Sequence, residues 1–94
     1  MQVFLRQPIV GLTNDQGGQI TLLLETTIEL PCIPCPGLAI RGLRESEKVV
    51  TVKQSEFDIR SSQCRCTLEA IGNPYVPAQD TRSDFGPNWH LAHP

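Results

Sequence analysis

From residue 20 onward the chain alternates. Ile20, Leu22, Leu24, Thr26, Ile28, Leu30 and Cys32 share one parity, and Thr21, Leu23, Glu25, Thr27, Glu29 and Pro31 share the other. A period of two carried by aliphatic and β-branched residues predicts a half-buried strand with the even positions inward. Eleven such residues would span roughly 36 Å at about 3.3 Å each, twice the usual strand. A bend or bulge near Thr26–Thr27 is therefore expected, as in a coiled barrel or a strand shared between two sheets.

Upstream, Val3 to Arg6 and Ile9 to Leu12 read as one strand interrupted by Pro8, which suits an edge or a bulge. Asn14 to Gly18 supplies residues that tolerate positive φ, so residues 2–12 should return antiparallel along 19–30. Leu38 to Arg44 and Lys48 to Lys53 form two further extended segments around a polar turn at Glu45–Glu47. Phe57 to Arg60 and Gln63 to Ile71 complete the set. In the last, Cys64, Cys66, Leu68 and Ala70 alternate with Arg65, Thr67 and Glu69. No stretch of ten residues shows a 3.6-residue apolar period. The pattern predicts an all-β fold, a small antiparallel barrel or sandwich of five to six strands with an irregular C-terminal tail.

Composition sharpens this picture at the C-terminus. Ninety-four residues make one domain, and a domain so small has a thin stability margin. Residues 1–72 form the β domain. Residues 73–94 have no period and hold four of the eight prolines, yet they carry Tyr75, Phe85 and Trp89, three of the five aromatics. Solvating tails are poor in aromatics, so these rings dock either onto the β domain itself or onto something else, and the segment reads as a partner-binding arm.

Charge excludes more than it suggests. Eight basic against ten acidic residues leave a net charge of −2, which offers no electrostatic reason to expect nucleic acid, a membrane surface or an acidic partner. Six of the eight bases are arginine, scattered along the chain. Neither a signal peptide nor a membrane span is readable, so a cytoplasmic protein is expected.

Cys32, Cys35, Cys64 and Cys66 are the residues that carry candidate chemistry. Four thiolates around one structural zinc would provide the staple a small domain lacks. The Cys32–Cys35 pair is well placed in a Pro-rich turn. The second pair is harder to accommodate, because sulfurs on one zinc lie roughly 3.8 Å apart, while i and i+2 positions on a straight strand are about 6.6 Å apart. Two other readings stay open: Cys64 and Cys66 as small core residues in line with Leu68, or one or two disulfides. A thioredoxin-like role for Cys32 and Cys35 lacks the helix N-terminus that would lower the thiol pKa. His90 and His93 are candidates for a metal site of their own, with ordinary surface histidines the plainer reading.

No nucleophile, carboxylate pair or phosphate loop stands in a catalytic motif, and no enzyme is expected. The leading functional expectation is a non-catalytic protein-interaction module. It would bind a protein partner or a second copy through a sheet edge and the arm bearing Tyr75, Phe85 and Trp89. The alternative is a small nucleic-acid-binding barrel using Arg41, Arg60 and Arg65 on one sheet face.

Overall fold

A computed structural model describes residues 1–13 and 18–92. Strand β1 (Gln2–Leu12) runs antiparallel to β2 (Gln19–Glu29) in unbroken register, from Gln2 opposite Glu29 to Leu12 opposite Gln19. Leu24 and Thr26 are buried on the predicted inward parity, and Gln19, Thr21, Thr27 and Glu29 are exposed. Asn14 to Gly17 of the expected turn lie outside the described residues, as does His93; the hairpin is pinned beside them by Thr13 N–H donating to Gly18 O at 2.7 Å. The expected bulge at Thr26–Thr27 is absent. The molecule measures 43 Å along its longest axis, so a strand of this length fits without bending back.

The remaining elements are β3 (Ala39–Ile40), β4 (Val50–Asp58), β5 (Gln63–Leu68), β6 (Ile71–Pro77), the single-turn helix α1 (Ala78–Arg82) and β7 (His90–Leu91). They form one curled, open half-barrel sheet in the order β3-β4-β5-β1-β2-β7, with β6 also paired to β1. β1 is therefore central, and its pairing with β5 and β6 is parallel. The expected closed antiparallel architecture is corrected to a mixed, open one. Parallel pairing needs a long crossover rather than a turn, so no local signal announces it.

Pro8 is not at an edge. Arg6 is the last β1 residue opposite β5 and Ile9 the first opposite β6, so Pro8 stands where the neighbour changes. No ladder bond on that side asks for the N–H it lacks. The buried Gln7 closes this gap, its Nε2 donating to Pro8 O and Glu69 O, each at 2.8 Å. Two glycines then bring β6 and α1 close to β1. Gly72 has φ +113° opposite Val10, whose carbonyl oxygen any Cβ would strike, and Gly11 lies so near Ala78 that a Cβ would approach its backbone to 2.6 Å.

The concave face is covered by chain segments rather than by a second sheet. A strap, residues 30–38, leaves the end of β2 and reaches the outer edge of β4. Leu30 N–H donates to Met1 O at 2.8 Å, Ser55 Oγ to Pro34 O at 2.6 Å, and Gly37 N–H to Val52 O at 2.8 Å. Within the strap, Pro34 is fully buried. The C-terminal segment closes the other half. Phe85 forms an isolated bridge with Arg44, β7 pairs with β2 at Leu24 and Glu25, and the Phe85 and Trp89 rings meet edge to face at 5.1 Å.

Through residue 92 the expected irregular tail accordingly holds most of β6, α1 and β7. The expected division after Gly72 falls inside β6, and Ala78 and Phe85 belong to the core with Val3, Leu5, Ile9, Leu24, Val50, Val52 and Leu68. α1 escaped notice because five residues are too few to display a helical period.

Candidate interaction surface

The register fixes which residues meet at one end of the half-barrel. β1 and β5 begin there, and β2 and β4 finish there. Across the inner face Val3 is paired to Cys64 and Cys64 to Phe57. Val3 and Cys64 are fully buried, whereas Phe57, at the sheet edge, remains 45% exposed. Beyond it the 59–62 turn carries Ile59, 84% exposed, and Met1 lies at the start of β1. The strap leaves from this same end at Leu30 and carries the exposed Ile33. Three of the seven large exposed apolar side chains among the described residues, Met1, Phe57 and Ile59, thus stand at one end. Scattered exposed apolar residues are ordinary, but a concentration of them marks a contact surface. Sequence reasoning passed over Ile59. Its signal was the inward parity of Phe57 running on past the strand, between Asp58 and Arg60.

The β4 edge adjoins this end. β3 pairs only with Val50 and Thr51, and the sheet order places no strand beyond residues 53–58. A bulge between Val52 and Gln54 interrupts the ladder to β5. The strap is tied to this edge at Val52 and Ser55, and the bulge and Lys53 protect the stretch between them, so the strand's free end is Glu56 to Asp58.

Of the aromatics expected in the arm, Phe85 is buried and Trp89 is packed against the same core, while Tyr75 on β6 is 82% exposed at the opposite end. Phe85 is held by a polar latch. Arg44 Nε donates to Asp84 Oδ2 at 2.7 Å, Ser46 donates to the same carboxylate through its N–H at 2.7 Å and its Oγ at 2.6 Å, and the Arg44 guanidinium lies 5.6 Å from the Phe85 ring centre. Burial pushes the Asp84 carboxyl upward, but the Ser46 and Arg44 hydrogen bonds outweigh it and hold the group below the usual carboxylate range.

The expected zinc cluster is not assembled. Cys64 and Cys66 face the core from β5, and Cys32 and Cys35 are exposed on the strap; all four are free. Among the described residues no group of three or more His, Cys, Asp or Glu side chains stands together as a metal ligand set. The i, i+2 spacing on a regular strand points both β5 thiols into apolar surroundings. Burial raises the Cys64 thiol, and burial with the neighbouring Cys64 pushes Cys66 up to about 11, the reverse of what a thiolate ligand needs.

The arginines expected on one face are separated. Arg65 is on the outer face of β5 opposite Glu56, Arg60 is in the turn after β4, and Arg41 follows β3 at the far end of β4. His90 is exposed in β7. Among the described residues no helix is long and apolar enough to cross a membrane. Comparison with known proteins found no matching family model, curated protein or solved structure.

Proposed function

We propose that the chain is a non-catalytic protein-interaction module whose contact surface is the apolar end of the half-barrel together with the last residues of the β4 edge, Glu56 to Asp58. The observation that supports this reading is the presence of Met1, Phe57 and Ile59, all exposed, at one end of the half-barrel. An unpaired strand supplies main-chain hydrogen bonds to an incoming strand, and side chains beside it supply the selectivity. The simplest partner is a second copy. The arm expected from the sequence contributes indirectly, since its Phe85 and Trp89 hold the scaffold rigid.

Sedimentation equilibrium tests this. The wild-type protein should assemble as its concentration rises, and Ile59→Lys should abolish assembly while changing stability by about 0.5 kcal/mol or less, as for a surface substitution. A wild-type chain that stays monomeric throughout, or an Ile59→Lys variant that assembles as before, would remove the apolar end from the reading.

A further inference from the structure

The loop from Leu30 to Arg41 doubles back on itself, and its two limbs flank an open apolar groove of about 280 Å³. Leu30, Pro31 and Pro34 line it from the outgoing limb and Leu38 and Ile40 from the returning one. Pro34 is fully buried. The loop is tied at Gly37 and Leu38 to Val52, and through Pro34 to Ser55, so the groove is held open by fixed contacts rather than by a loose excursion. Arg41 is the sole charged residue lining it. Its Nη1 donates to Glu47 O at 3.2 Å, and it forms no ion pair with a carboxylate among the described residues. The guanidinium therefore keeps donors available in the planar fork that matches a carboxylate.

We propose that this groove binds a medium-chain aliphatic carboxylate, its chain between the two limbs of the loop and its carboxylate on Arg41. Apolar walls with a single polar group fixing orientation are the usual make-up of a ligand site. The volume lies just below the range of about 300–1,000 Å³ typical of such pockets, which restricts the guest to a small molecule. The charge selects an anion over a cation or a neutral alcohol of equal length. This inference is independent of the apolar end, and either can fail without the other.

Cys32 lines the groove and Cys35 does not, although both are exposed. The protein thus carries its own reporter and its own control. Alkylation by iodoacetamide, followed at each cysteine by peptide mass spectrometry, measures occupancy by octanoate. At about four times its Kd, octanoate should slow Cys32 roughly fivefold, the factor 1 + [L]/Kd, and leave Cys35 unchanged. Octylamine, cationic at neutral pH, should protect neither. Arg41→Gln should lose the protection while Arg41→Lys retains part of it, each compared with its own ligand-free rate and checked for an unchanged thermal midpoint. Equal slowing at both cysteines, equal protection by octylamine, or full protection in Arg41→Gln would overturn the proposal.

Discussion

Gly72 shows how much of this fold rests on single positions. It takes a φ of +113° as the second residue of β6, directly against the Val10 carbonyl. Alanine there meets two penalties, an unfavourable backbone conformation and a collision with main-chain atoms that cannot swing aside. Each is worth about 1–3 kcal/mol, so Gly72→Ala should cost about 3 kcal/mol or more in urea unfolding. Gly86→Ala is the matched control, because its Cβ would meet only the flexible Glu45 side chain at 3.8 Å; its cost should stay within about 0.5 kcal/mol. Equal costs would show that β6 does not need its close approach to β1. The cysteines illustrate the same scale differently. Alternation along β5 already placed Cys64 and Cys66 in line with Leu68, and all three are buried. The zinc expectation rested on counting thiols, while their directions were set by the strand.

At the scale of elements, the latch at Asp84 joins the loop after β3 to the segment that seals the core. Its carboxylate accepts from Arg44 and Ser46, and its own carbonyl accepts from Glu45 N–H at 2.7 Å. Because the folded carboxyl is held below its unfolded value, its contribution is complete above the ordinary carboxylate pKa of about 3.9 and is lost as pH falls through the folded value. Asp84→Asn, which leaves Arg44 short of its partner, should cost about 2 kcal/mol at pH 7. The gap to wild type should narrow as pH is lowered toward 3. Asp58, lowered chiefly by the Arg60 backbone hydrogen bond, titrates in both proteins and cancels in the comparison. A gap constant with pH would mean that the carboxylate charge does not hold the latch. Elements were also where the sequence was most and least legible. The β1–β2 hairpin was readable because its parity runs unbroken over both strands. The break of Gln63–Ile71 into β5 and β6 was not, since it answers to Pro8 and Gln7, more than sixty positions away. The end that gathers Phe57 and Ile59 depends on the same distant pairing, and so the candidate surface was visible only as isolated residues.

For the whole molecule, the C-terminal segment is part of the core rather than an appendage to it. Phe85 is 5% exposed and Ala78 1%, and losing a buried phenylalanine side chain alone costs about 3–5 kcal/mol, a large share of the 5–15 kcal/mol typical of a domain. Truncation after Gly72, which also cuts β6, should therefore leave a chain without a cooperative thermal transition and with exposed apolar surface that binds dye. A truncated protein that unfolds cooperatively near the wild-type midpoint would show that residues 73–92 are dispensable to the fold. The central place of β1 has a further result. β1, made before both of its partners, pairs on one flank with β2, a close neighbour, and on the other with β5, where Val3 meets Cys64. A nascent chain can form its hairpin early, yet Val3 and Leu5 then wait, uncovered, until translation reaches residue 68. Pairings so distant in sequence also fold slowly, on the order of milliseconds to seconds. Between those two events the growing polypeptide exposes an apolar strand face and an unpaired edge, the features that make a partly made sheet prone to aggregation.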